Sequence, residues 1–204
     1  MNKQNTSDVE KENTFDNIHF ADLSLDHKII ENKTFDRCKF SSLSSIETTF
    51  RSCKFIECAF VHSNLSASVM TNTSFIETEF EECKLIGINW TQAKWPLVKL
   101  RSPFSFYKSD ISQSSFFGLN MNSIIIEECK AHDVDFREAD LSDGRFVLTD
   151  LEKSLFLHSN LYSADFTEAI NYFIDPNEND IRKAQFSMPD AMNLLRAFDI
   201  VIDE

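Results

Sequence analysis

The sequence predicts an all-β solenoid, a four-sided β-helix in which the chain turns a corner after every five residues. Large apolar residues recur at every fifth position, and small residues recur two positions before them. The composition agrees with this pattern, since the chain contains 20 phenylalanines and only three glycines. Neither the helical period of 3.6 nor the strand period of 2 produces this pattern. A repeated five-residue unit explains all three observations.

The large apolar positions define one register along most of the chain. Every fifth position from Phe15 to Leu100, and from Phe106 to Phe166 after a shift of one residue, gives 31 sites. Large apolar residues fill 29 of them, and Ser45 and Ala131 are the exceptions. Four such steps return the chain to its starting direction, so one coil takes 20 residues. Stacked like parallel strands, the coils predict a rod of roughly 37 Å.

The second inward position, two residues earlier, favours small side chains. Ala, Cys, Ser, Thr, Gly or Val fills 21 of these 31 sites. A longer side chain there would crowd the large neighbour in a close-packed interior. All five cysteines occupy this position, which predicts reduced, buried thiols and neither disulfides nor a metal site. They are Cys38, Cys53, Cys58, Cys83 and Cys129.

The register also sets the expected boundaries. Residues 1–14 are predicted to be disordered, residues 15–170 to form the solenoid, and residues 171–204 to form a capping or dimerisation segment. Lys28 and Lys33 occupy nominally inward sites, which predicts irregular first coils because buried charge is costly. The shift of register, with Pro103 inside it, predicts a kink at residues 101–105.

The C-terminal segment carries the pattern of a short α-helix with one apolar face. Ser187 is placed to cap this helix and Pro189 to occupy its first turn. Two interpretations remain open, a cap on the open end of the solenoid and a homodimer contact, and both can hold. The predicted interface consists of Leu194, Leu195, Phe198, Ile200, Val201 and Ile202.

The charge is strongly negative and unevenly placed. The formal net charge is −13, which argues against direct nucleic-acid binding and favours a basic partner. Residues 127–168 hold eleven acidic and four basic side chains, whereas residues 51–108 hold five acidic and seven basic ones. We therefore expect the binding surface in the C-terminal half. Its predicted residues are Glu127, Glu128, Asp133, Asp135, Glu138, Asp140, Asp143, Asp150, Glu152, Asp165 and Glu168.

An enzyme is not expected. The histidines are scattered over outward positions without triad or metal-ligand spacing, at His19, His27, His62, His132 and His158. Glycine-rich phosphate loops are absent from the sequence, and a convex rod offers no cleft that would exclude water. We expect no cofactor and no metal.

With no apolar run of about 18 residues and no signal-like N-terminus, we also expect a cytoplasmic protein that does not bind membranes.

Four segments resemble a particular family. They are INWTQAKWPLVK at residues 88–99, FFGLNM at 116–121, AINYFID at 169–175 and NDIRKAQFSMPDAMNLL at 179–195. Together with the five-residue repeat, they resemble the pentapeptide-repeat proteins that protect bacterial type II topoisomerases. These include the Qnr, McbG and AlbG types, and the albicidin-resistance type AlbG is the nearest. The resemblance implies a right-handed quadrilateral β-helix, a dimer through the C-terminus, and a rod that imitates DNA to bind DNA gyrase or topoisomerase IV.

The resemblance leaves three functions open. Qnr proteins of Gram-negative bacteria project two loops that contribute to protecting gyrase from quinolones, whereas here one insertion disturbs the register. Loop-free mycobacterial relatives inhibit gyrase, while AlbG-type proteins confer resistance. Protection and plain inhibition are therefore both compatible with the fold, as is a structural or interaction solenoid with an unrelated partner.

Overall fold

The protein is a β-solenoid of about eight turns with mostly parallel strands and a short C-terminal helix, which confirms the predicted fold class. The computed structural model describes residues 9, 11–95, 103–198 and 200. Residues 201 and 202 of the predicted dimer interface lie outside this described part.

The strands are two to four residues long because each side of a coil is only one five-residue step. Their bounds are β1 Thr14–Asp16, β2 His19–Ala21, β3 Ile29–Glu31, β4 Thr34–Asp36, β5 Lys39–Ser41, β6 Thr49–Arg51, β7 Lys54–Ile56, β8 Ala59–Val61, β9 Ser74–Ile76, β10 Thr78–Glu81, β11 Phe104–Tyr107, β12 Ile125–Glu127, β13 Asp165–Phe166 and β14 Gln185–Phe186. Two 3-10 helices, Trp90–Gln92 and Asp190–Phe198, complete the described elements.

One side of the solenoid carries a ladder along the whole rod. Strands β2, β5, β8, β10, β11 and β12 form a six-stranded parallel sheet. Single bridges from Ile125 to Arg145 and on to Asp165 continue it to the β13 and β14 pair. We call this side the long face. Residues ten positions apart in a regular coil lie on opposite faces.

Stacked aromatic rings, together with Leu, Ile and Met, fill the interior. Phe60 lies between Phe40 and Phe80, with ring centroids 4.6 and 4.9 Å away and nearly parallel planes. Rings on adjacent faces meet edge to face, as Phe55 does with Phe60 at 5.4 Å. These are the favoured geometries of aromatic pairs, so the ladder adds specific contacts to the burial of apolar area. The predicted inward register is present as this ring core.

The small inward side chains also have a polar role that packing alone did not predict. The hydroxyl of Thr48 donates to the carbonyl of Leu25 at 2.7 Å, and that of Ser68 donates to Ser45 at 2.6 Å. The Cys53 thiol donates to the Ile30 carbonyl at 3.3 Å. Ser, Thr and Cys at this site therefore bond to the preceding coil while remaining small enough to be buried.

The corners of the coil use left-handed backbone. The residue two positions after most of the large inward residues has φ near +55°, for example His27 at +57° and Glu128 at +51°. This conformation is strained for most side chains. The corner amide nevertheless bonds to the next coil, as His27 N does to the Ile46 carbonyl at 2.9 Å. The ladder thus holds each corner in place.

The register shift is larger than one residue. Partners in adjacent coils are 20 residues apart before it, as Phe60 and Phe80 are, but 26 apart across it, as Phe80 and Phe106 are. Six extra residues therefore lie between the two halves. Trp95 still follows the inward register, since it packs against the core and the Lys94 amide donates to the Thr73 carbonyl at 2.8 Å. Residues 96–102 lie outside the described part. Strand β11 pairs with both β10 and β12, so the long face runs across the insertion.

The two ends extend beyond the predicted boundaries. Val9 is fully buried against the first coil, although residues 1–14 were predicted to be disordered. Lys33 is buried with satisfied hydrogen bonds, since its ammonium donates to the Glu12 carbonyl at 2.6 Å and to Asn13 Oδ1 at 3.0 Å. The first coils are accordingly regular. At the other end the ladder continues past residue 170 to β14.

Candidate functional site: an acidic face of the rod

The eleven predicted acidic residues lie outward, as expected, but on all four sides of the rod. Asp165, for example, lies on the long face, where it bridges to Arg145. Asp135 lies on the opposite face, in the column that continues from Ser115 to Leu155. Asp140 and Asp150 belong to the columns of the two remaining faces. The structure therefore does not bring this set together as one surface.

Several of these carboxylates are also paired with cations. Asp135 forms a forked pair with Arg137, with N–O distances of 2.9 Å, and the guanidinium holds the Asp135 pKa below its usual range. Arg145 pairs with Glu127 at 2.8 Å, and His132 lies 2.7 Å from Asp150. These pairs are partly exposed to solvent and contribute little to stability. They do reduce the negative charge that these positions offer to a partner.

A denser acidic cluster lies where the sequence counts did not indicate it. Glu77, Glu79, Glu81 and Glu82 are all exposed, on β10 or at the corners beside it. Glu79 and Glu81 flank the inward Phe80 and therefore point outward from the long face. One coil of the rod thus presents four carboxylates on a single side.

Folding separates charges that are neighbours in sequence. All five acidic residues of the 51–108 segment lie on the long face or its corners, whereas Arg51, Lys54 and Lys84 lie on the other three faces. The net charge of this segment is slightly positive, so counting charges along the sequence did not reveal the cluster. A count by position in the 20-residue coil would have revealed it.

In the coil that contains this cluster, the side of the rod opposite the long face carries no charge. Residues 87–92 form that side, and they contain no charged side chain. Asn89 caps the short helix Trp90–Gln92 by accepting from the Thr91 amide at 3.1 Å. The middle of the rod is therefore negative on one side only, which gives it a defined orientation towards a basic surface.

The predicted dimer residues are divided between the core and the surface. Leu194 packs partly against the solenoid core, and Leu195 is half-buried. Phe198 and Ile200 are 47% and 53% exposed. The C-terminal segment was predicted as an α-helix, but Asp190–Phe198 has 3-10 geometry; it covers the last coil while leaving apolar side chains facing outward.

The thiols and the other titratable groups form no reactive centre in the described part of the chain. Burial raises the pKa of Cys83 and of Cys129 to about 12, so both thiols stay protonated at neutral pH. No group of three or more His, Cys, Asp or Glu side chains suited to a metal ion occurs among the described residues. Nor is any helix there long and apolar enough to cross a bilayer.

Comparison with protein families agrees with the repeat. Residues 29–103 match the pentapeptide repeat region model, and residues 135–170 match the model of eight pentapeptide repeats. Together these matches span more than half of the chain. The protein belongs to the pentapeptide-repeat family.

Solved structures of similar architecture include two trypsin-treated variants of QnrB1, a plasmid-mediated fluoroquinolone resistance protein. One is 18% identical with a TM-score of 0.50, covering 92% of this chain and 99% of that one. The other is 16% identical with a TM-score of 0.49, covering 92% and 98%. At this identity the likeness shows the fold alone. The curated proteins searched contain no match, so the nearness to the AlbG type stays a prediction.

Proposed function

We propose that this protein binds DNA gyrase or topoisomerase IV in place of DNA and protects the enzyme from drugs that trap cleaved DNA. It would act in the cytoplasm as a binding protein and not as an enzyme. The drug would be of the quinolone or albicidin type, as the resemblance of the four sequence segments implies.

The observation that carries this proposal is the charge of the long face. Among the described residues from Glu57 to Glu168, this face and its corners hold two cations, Lys108 and Arg145, against ten carboxylates. The carboxylates are Glu57, Glu77, Glu79, Glu81, Glu82, Glu127, Glu128, Asp143, Asp165 and Glu168. They span five coil spacings, about 24 Å. Duplex DNA carries about 14 phosphates over that length, so the net density is somewhat more than half that of DNA.

Such a face can enter a basic DNA saddle without being cut. The solenoid ladder fixes the backbone positions that carry its carboxylates, so the backbone needs little reorganisation on binding. Unlike DNA, the rod contains no phosphodiester for a catalytic tyrosine to attack. A bound rod would therefore exclude DNA and prevent a drug from trapping a cleaved complex.

The insertion supports protection over plain inhibition. Six extra residues lie between the halves of the rod, and the family resemblance associates inserted loops with protection. The exposed Phe198 and Ile200 support a homodimer through the C-terminal helix. A two-fold axis there would place two acidic faces in one continuous rod.

The test compares two triple variants in assays with purified gyrase. Glu79→Gln/Glu81→Gln/Glu82→Gln removes three charges from the long face. Asp133→Asn/Glu138→Gln/Glu178→Gln removes three exposed charges from the corners bordering the opposite face. We expect the first variant to lose protection against drug-induced cleavage and the second to retain most of it. Both should keep the β-rich circular dichroism of the wild type.

Two results would contradict the proposal. The wild type could fail to compete with DNA for gyrase at any salt concentration, which would leave the interaction solenoid with an unrelated partner. Alternatively, it could reduce supercoiling and drug-stabilised cleavage equally, which would identify a plain inhibitor.

A further inference from the structure

Leu148 is an exception among the corners of the solenoid. Its φ is +57° and its side chain is 49% exposed. The other described non-glycine residues with positive φ are polar or charged, apart from Ala67. A large apolar side chain at this position combines a strained backbone with unfavourable contact with water. Folding stability therefore does not explain its presence.

Leu148 belongs to a small apolar patch that spans two coils. The amide of Leu148 donates to the Thr167 carbonyl at 3.1 Å, and the amide of Ile170 donates to the Thr149 carbonyl at 3.0 Å. Ile170 thus lies one coil above Leu148 and slightly to its side, and it is 43% exposed. With the half-buried Val147, these residues form what we call the corner patch.

Carboxylates border the corner patch on several sides. Glu128 and Glu168 are the corner residues of the coils below and above Leu148, and both are exposed. Asp150 and Glu127 lie beside the patch as well, but they are paired with His132 and Arg145. The two corner carboxylates therefore form the acidic rim. An apolar centre with an acidic rim is complementary to an apolar side chain flanked by basic residues.

We infer that the corner patch anchors a basic protein segment carrying an exposed apolar side chain, supplied by the topoisomerase that the long face engages. This inference rests on the proposed function. Carboxylates alone would make the rod a general competitor for any DNA-binding surface, because charge attraction is non-directional. An apolar anchor adds a contact that DNA does not offer, and it thereby selects one enzyme.

The two kinds of contact respond differently to salt. Attraction between the rim and basic residues weakens as ionic strength rises, whereas burial of Leu148 does not. Removing the anchor should therefore lower affinity by a similar factor at every salt concentration. Burying the exposed half of a leucine side chain corresponds to about a fivefold change in affinity.

The experiment measures binding of purified gyrase to the full-length protein over a range of salt concentrations. Leu148→Asn removes the anchor, and because asparagine accepts left-handed φ, the variant should be at least as stable as the wild type. Ala67→Asn is the matched control, a corner of the same conformation at φ +55° outside the patch. Leu148→Met keeps an apolar side chain and should restore affinity.

We expect about fivefold weaker binding for Leu148→Asn with an unchanged salt slope, and near wild-type binding for the other two variants. Equal affinity of Leu148→Asn and the wild type would overturn the inference alone. A change in the sedimentation of the free Leu148→Asn protein would also overturn it, because the patch would then be a contact between copies of this chain. Absence of any gyrase binding by the wild type would overturn both this inference and the proposed function.

Discussion

Individual inward side chains carry the stability of this fold. A ring inside a column, such as that of Phe60, contacts the ring one coil below and the ring one coil above, so its removal weakens two interfaces. Phe60 is 1% exposed and stacks on both sides. Outward side chains such as that of Glu128 are largely hydrated, and changing them leaves this core intact.

We expect Phe60→Asp to abolish folding. An unpaired carboxylate in the ring stack would add the cost of burying a charge to the loss of two stacking contacts, together more than about 4 kcal/mol. Circular dichroism should show loss of the β signal at all temperatures. Glu128→Gln is the control and should melt like the wild type. A folded Phe60→Asp protein would contradict the inward register.

Asp26 provides a pH-dependent link between the first two coils. Burial raises its pKa, but hydrogen bonds from the Ile46 amide at 2.8 Å and from the Ser44 hydroxyl outweigh burial, so the pKa lies below its ordinary value. The resulting stabilisation is present above the ordinary pKa of an aspartate and is lost as pH falls through the lowered one.

We therefore expect Asp26→Asn to lower the free energy of unfolding at pH 7 by about 1 kcal/mol. The difference from the wild type should shrink as pH falls below the ordinary pKa of an aspartate, because the unfolded chain then binds a proton that the folded Asp26 resists. Urea titrations of both proteins at pH 7 and pH 3 measure this. A difference that stays constant with pH would show that the ionised carboxylate contributes nothing.

At the scale of elements, the two ends of the solenoid are covered by short segments. A parallel ladder leaves unpaired backbone and apolar surface at each end, so a solenoid needs caps. Val9 covers the first coil and Leu194 covers the last one. The helix Asp190–Phe198 differs from a simple cap because Phe198 remains exposed.

Two substitutions in this helix separate capping from dimerisation. Phe198→Arg should yield monomers in sedimentation experiments without loss of melting temperature, because its side chain faces outward. Leu194→Arg should lower stability by roughly 2 kcal/mol or more, because it faces the core. A wild-type protein that is monomeric at micromolar concentration would rule out the dimer and leave the helix as a cap.

The five-residue period predicted the inward residues because this phase is set locally by each step. It could not predict which side of the rod an outward residue occupies after the insertion. Because the period is five residues, a shift of one residue allows either 21 or 26 residues between stacked residues of adjacent coils. The structure has 26. The cluster of Glu79, Glu81 and Glu82 was not predicted from the sequence. These residues are seen to share one side of the rod only when the sequence is aligned in rows of 20 residues, one row for each coil.

At the scale of the whole molecule, the rod is a set of charge columns parallel to its axis. Residues in contact along a column are 20 positions apart, so distant parts of the sequence determine one surface. His62 and Glu82, for example, lie 2.9 Å apart on consecutive corners. The long face is consequently a property of the stacked assembly, and no single stretch of sequence encodes it.

The two tryptophans are fluorescence probes of the middle of the rod. Trp90 is fully buried, and the Trp95 indole donates to the Trp90 carbonyl at 2.9 Å, both beside the insertion. Because coils of a solenoid contact only their neighbours, the ends can unfold before the centre. We expect emission to change at higher urea concentration than circular dichroism, which averages over every coil. Coincident transitions would mean that the whole rod unfolds as one cooperative unit.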